Sequence, residues 1–124
     1  MAFNPYTKYK EQSVMTMTQG EMLVKLYDEA VKQLSGAALY IKEKDYAKAN
    51  VALQKTQRIL NYLTSTLNFK YDISNNLAAL YDFFNAQIVK ANIHKDATLL
   101  EEITPMIAEL RDTFAQADRL AKTK

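Results

Sequence analysis

The chain has 124 residues and no cysteine. That excludes a disulfide framework and any thiolate metal site, and it suits a reducing cytosol. Glycine and proline occur only twice each. So few turn-formers leave long uninterrupted segments, which argues for helices. Histidine occurs once, as His94. A lone imidazole does not make a zinc site without other strong ligands. No Glu-x-x-His pair is present, which excludes bundles of the di-iron type. Gly20 and Gly36 stand too far apart for a phosphate-cradling loop. Glu101 and Glu102 are adjacent and read as a solvated face, not an acid-base pair. No Ser-His-Asp arrangement stands out. Neither an enzyme nor a cofactor or metal site is expected.

Charge of one sign is also scarce. The formal net charge is +2 and the lysines are scattered, so nucleic acid is not an expected partner. No apolar run of about 18 residues exists, so no membrane insertion is expected. The opening "MAFNPYTKYK" has no apolar core of a secretory signal. A cytoplasmic location follows as an expectation.

What is present is ordinary for a globular domain: 48% hydrophobic and 24% charged residues. Residues 1–124 read as one helical-bundle domain. Residues 1–17 hold Tyr6, Tyr9 and Val14 but no steady period, and are expected to form an extended N-terminal arm. Helical patterns then run near 19–43, 46–69, 75–93 and 97–121. Thr18 and Glu21 have the spacing of a capping box. Asp45 caps the second helix, Ser74 or Asp72 the third, and Asp96 the fourth. Gly36 should weaken the first helix by roughly 1 kcal/mol against alanine, and the Ser35-Gly36-Ala37-Ala38 stretch is expected to let another helix approach. Pro105 removes the bond to the Glu101 carbonyl at about 3 kcal/mol or more. Either the fourth helix kinks there or it is two helices, and the stripe Leu99, Ile103, Met106, Ile107, Leu110, Phe114 favours the kink. Short connections make the expected fold all-α, an antiparallel up-down four-helix bundle.

The third helix carries two apolar lines. Leu77, Leu80, Tyr81, Phe84, Ile88 and Ala91 fall within roughly 100° of arc and form a core stripe. Ala79, Phe83, Ala86 and Ile93 lie on another face. Such a helix is either buried on both sides or offers a shallow groove to an amphipathic partner. Tyr6, Tyr9, Tyr46, Tyr62 and Tyr71 fall outside the clear core stripes, as rim packing or as partner contacts. His94 admits a further reading, a histidine phosphotransfer domain. That chemistry needs an exposed mid-helix imidazole, whereas "NIHKD" resembles a helix end.

Five segments carry a family resemblance. "NPYTKY" resembles an Asn-Pro-Tyr-x-x-Tyr start, and "SVMTMTQGEMLVKLYDEA" resembles Val-x-Thr, Ser-Pro-Gly-Glu-Leu and Met-Leu-Tyr-Asp-Gly-Ala in succession. "ISNNLAALYDF" is similar to Ile-Ser-x-Asn-Leu-x-x-Leu-Tyr-Asp-Tyr, while "KANIHKD" and "RDTF" resemble Ala-Asn-x-x-x-Asp and Arg-Asp-Thr-Trp. In this order and spacing they resemble the bacterial flagellin export chaperones of the FliS type, over essentially the whole chain. Thr18-Gln19 stands where the family has Ser-Pro, Ala86-Gln87-Ile88 where it has Arg-Arg-Leu, and Pro105 is not typical.

The resemblance implies a four-helix bundle that binds the disordered C-terminal segment of flagellin, prevents premature polymerisation and assists export through the flagellar type III apparatus. It implies a flagellar export gate protein as a second partner, and leaves room for flagellar regulators bound by a helical adaptor. The chain is expected as a monomer or weak homodimer. Expected flagellin contacts are Tyr62, Ala79, Tyr81, Phe83 and Ala86. Tyr6, Tyr9 and Val14 are expected in a displaceable lid or a gate contact.

Overall fold

The Asp45 side chain accepts a hydrogen bond from the backbone N–H of Lys48 at 3.2 Å, and Asp96 does the same for Thr98 at 2.9 Å. Each aspartate satisfies an orphan donor at a helix start. Each also follows a lysine in the left-handed conformation, Lys44 at φ 61° and Lys95 at φ 53°. The Asp45 N–H bonds back to the Tyr40 carbonyl, and the Asp96 N–H to Ala91. These are the six-to-one bonds of a Schellman stop. Lysine stands where glycine would be unstrained, so both helix ends carry a local cost of about 1 kcal/mol. The same device, helix stop then aspartate cap, thus makes two tight reversals.

The computed structural model describes residues 19–122. The arm at 1–17, with Tyr6, Tyr9 and Val14, and the Thr18 half of the capping box lie outside the described residues. Four helices follow: α1 (Gln19–Lys42), α2 (Tyr46–Ser65), α3 (Asp72–His94) and α4 (Ala97–Lys122). The bundle is all-α, as expected.

Cross-helix bonds show its antiparallel order. Glu21 of α1 pairs with Lys122 of α4, Asp28 with Arg111, and Lys42 with Glu101. Rising positions on α1 thus meet falling positions on α4. Asn50 meets Asn92 and Asn61 meets Asn85 between α2 and α3. The core is built from stripes at spacings of three and four: Tyr27, Ala30, Leu34, Ala37 and Ile41 on α1, and Ala49, Leu53, Thr56, Leu60 and Leu63 on α2. Buried Thr56 bonds its own helix, donating to the Ala52 carbonyl at 2.9 Å.

Several local expectations are corrected. Helix α2 ends at Ser65, not near 69. The hydroxyls of Thr64, Ser65 and Thr66 turn back onto the carbonyls of Leu60, Tyr62 and Leu63. Such bonds compete with helix propagation. Helix α3 starts at Asp72, with Tyr71 at the cap position and no side-chain cap. Neither Ser74 nor Asp72 caps it. Ser74 is buried and donates to the Asn68 carbonyl at 2.6 Å, which ties the preceding loop to the helix. Within the Ser35–Ala38 stretch Ala37 and Ala38 are buried, but at Gly36 itself no other helix comes close, since an added methyl would meet only Tyr40 of its own helix, at 3.9 Å. Gly20 is the glycine in a tight place, where an added methyl would strike the Asp118 side chain of α4. Of the two readings at Pro105 the single helix stands: α4 runs through the proline, which is exposed. Leu100, absent from the expected stripe, is fully buried, whereas Met106 is exposed.

Candidate partner-binding surface

On α3 the two apolar lines separate cleanly. Leu77, Tyr81, Phe84, Ile88 and Ala91 are buried. Ala79, Phe83, Ala86 and Ile93 are all exposed, with Phe83 at 44% and Ile93 at 69%. The bundle therefore uses one face of α3 and leaves the other open. Val89, at 46% exposure, extends the open face. Phe83 is held at its base by a tilted contact with the buried Phe84 ring, centroids 6.0 Å apart. Before α3, the loop exposes Phe69 and Tyr71, and the first turn exposes Ile73. A large apolar surface without cover is the usual mark of a binding face.

The expected contact residues thus divide. Ala79, Phe83 and Ala86 come together on the open face of α3. Tyr62 is exposed, but its hydroxyl reaches the Met22 sulfur of α1 at 3.8 Å. It belongs to the α1 side of α2, not to the α3 face. Tyr81 is withdrawn from any surface role, being 1% exposed with its hydroxyl bonded to that of Tyr27. The reason lies in the spacing: Tyr81 falls in register with Leu77, Phe84 and Ile88, and the core stripe takes it. Val89 and Ile73 were missed because each stands beside a core position and no separate period marks it.

The quoted motifs meet in one place. Tyr27 of "LYDEA", Tyr81 of "LYDF" and Phe114 of "RDTF" form an aromatic cluster. The Tyr27 ring lies 5.7 Å from Phe114 and 6.4 Å from Tyr81. Burial pushes both tyrosine hydroxyls above their ordinary ionisation range; their mutual bond raises Tyr27 further and partly offsets the rise at Tyr81. Just outside, Asp28 accepts from Arg111 at 3.0 Å and pairs with Lys32 at 3.3 Å. Burial pushes the Asp28 carboxyl up, but Lys32 and Arg111 together outweigh it and hold the group below its usual value. These motif residues fasten α1, α3 and α4 to one another. A shallow depression of about 470 Å³ between α1 and α4 is walled by the same ion-paired side chains, including Asp28, Arg111 and Asp118.

His94 is exposed at the last position of α3, beside the reversal at Lys95, not in mid-helix. Among the described residues no group of His, Asp and Glu is placed to hold a metal ion. Among them, too, no helix is long and apolar enough to cross a membrane.

An antiparallel four-helix bundle with an aromatic lock inside and one helix apolar on its outer face defines a protein-binding module. The family model described as "Flagellar protein FliS" matches residues 2–121. The "Flagellar secretion chaperone FliS" of Bacillus subtilis (strain 168) is 37% identical over 92% of this chain and 86% of its own length. Its namesake from Escherichia coli (strain K12) is 26% identical, over 86% of this chain and 81% of its own length. A solved structure described as "Crystal structure of flagellar chaperone from bacteria" superimposes with a TM-score of 0.77. It covers 92% of this chain and 94% of its own, at 19% identity, a likeness of fold. The chain belongs to the FliS family of flagellar secretion chaperones. Members of that family are chaperones, not enzymes.

Proposed function

We propose that this protein binds the C-terminal segment of flagellin in the cytoplasm, keeps it from polymerising and delivers it to the flagellar type III export gate. The observation that carries the reading is the open face of α3, where Ala79, Phe83, Ala86, Val89 and Ile93 are all exposed. A disordered segment gains helix when its apolar side lies against such a face. Its ordering costs about 2–5 kcal/mol or more, which burial of apolar area must exceed. The small alanines give a trough, and Phe83 gives a rigid anchor at its wall. In this reading residues 1–17, with Tyr6, Tyr9 and Val14, are a displaceable cover and a contact for the export gate.

Calorimetric titration with the C-terminal peptide of the host's flagellin tests the reading. Binding with a negative heat-capacity change is expected. Phe83→Glu should abolish it while the helical circular dichroism stays unchanged. Full-strength binding by that variant would move the site away from α3.

A further inference from the structure

The seam between α2 and α3 is lined by carboxamides. Asn50, Gln54, Gln57 and Asn61 recur on α2 at intervals of four, three and four. At about 100° per residue they fall within roughly 60° of arc. Asn50 and Asn61 face α3, where Asn92 donates to Asn50 at 3.0 Å and Asn85 to Asn61 at 3.3 Å. Positions that flank a helix-helix contact usually hold opposite charges. Here none of these six residues is charged.

Their hydrogen-bonding capacity is far from used. Gln54 is exposed and Gln57 half-buried, and neither has a partner among the described residues. The Asn85 Oδ1 atom is sealed from solvent, also without a partner among them. A buried acceptor left unmatched is costly and rare. A turn of the Asn85 amide about χ2, a soft torsion, would exchange its bond to Asn61 for one from a donor lying over the seam.

We infer that this seam is a clasp for the main chain of an extended stretch of the bound partner. The inference rests on the flagellin reading above. A carboxamide carries the same donor and acceptor as a peptide group. A row of them therefore holds a backbone whatever side chains it bears. From Asn50 to Asn61 helix α2 rises about 16 Å, which matches about five residues of extended chain. Val89 sits on α3 between Asn85 and Asn92 and is exposed, so the seam is continuous with the apolar face of that helix. The partner would lie as helix on the apolar face and as extended chain across the amides. Because the amides are neutral, this part of the grip should be insensitive to salt.

The test uses the full chain and the C-terminal peptide of the host's flagellin. The double variant Gln54→Leu/Gln57→Leu removes amides that bond nothing among the described residues. Its urea midpoint should stay level, while affinity for the peptide falls about tenfold, as loss of one or two hydrogen bonds gives. Asn61→Leu/Asn85→Leu should show the same fall, at low and high salt alike. A peptide in which esters replace amides along the extended stretch should bind the wild type more weakly and the variants no more weakly than the parent peptide does. Unchanged affinity in both double variants would overturn the clasp and leave the flagellin reading intact. Failure of the wild type to bind the peptide would defeat that reading, and the clasp with it.

Discussion

The hydroxyl of Tyr27 on α1 bonds the hydroxyl of Tyr81 on α3, across the middle of the bundle and out of reach of water. The two helices lie on a diagonal, each flanked by α2 and α4, so this bond ties elements that share little other contact. Removing one hydroxyl leaves the other buried and unmatched. Tyr27→Phe alone should therefore cost about 1–3 kcal/mol, and so should Tyr81→Phe. The double variant should cost less than the sum, because it removes both polar groups together. Urea unfolding of the four proteins closes the cycle, and strict additivity would show the hydroxyls to be uncoupled. The pair also sets an alkaline limit. Both groups ionise above their ordinary value of 10.0 in the folded state, chiefly through burial. Their contribution is complete below that value and is lost as pH rises beyond it. Their phenolate absorbance should appear together with loss of helical signal, not before it.

Asp28 sets the corresponding acid response. Its folded value lies below the ordinary 3.8, burial being outweighed by Lys32 and Arg111. The stabilisation is present above the ordinary value and is lost as pH falls through the lower folded one. The Asp28 side chain is 39% exposed, so solvent screening limits the effect to about 1 kcal/mol or less. Asp28→Asn should lower the urea midpoint at neutral pH and match the wild type at about pH 2. A difference that persists undiminished in acid would assign the effect to packing.

The two glycines should respond differently. Gly36 sits in mid-helix with open space around it, save Tyr40 at 3.9 Å. Gly36→Ala should stabilise by about 0.5–1 kcal/mol, through backbone entropy alone. Gly20 lies against Asp118, which also pairs with Lys122 at 3.0 Å. Gly20→Ala must push that carboxylate aside, so the usual helix gain should vanish or reverse. Thermal melts of the two variants separate the cases, and equal upward shifts would show that α4 yields freely at its C-terminal end.

Much of the candidate surface was legible along the chain. Phe83, Ala79 and Ala86 stand out because they form a second apolar line on a helix already provided with one. Tyr62 and Tyr81 show where that legibility stops. Periodicity puts Tyr81 in the core stripe of α3 and leaves Tyr62 off the core stripe of α2, but it does not say which neighbour either hydroxyl meets. The amide seam is invisible to hydropathy altogether, since Asn and Gln read as surface. It emerges only when α2 and α3 are set side by side and Asn50 is found opposite Asn92.

The sequence by itself determined the four helices, their antiparallel order and the aspartate caps at Asp45 and Asp96. Those depend on spacing, on short connections and on single residues at helix ends, all of which are local. Only the tertiary structure decided that α2 stops at Ser65, that Gly20 and not Gly36 is the tight glycine, and that Leu100 is core while Met106 is exposed. It also decided which face of α3 remains open. Those outcomes depend on which surfaces the other helices cover, and burial against a neighbour is a property of the assembled bundle.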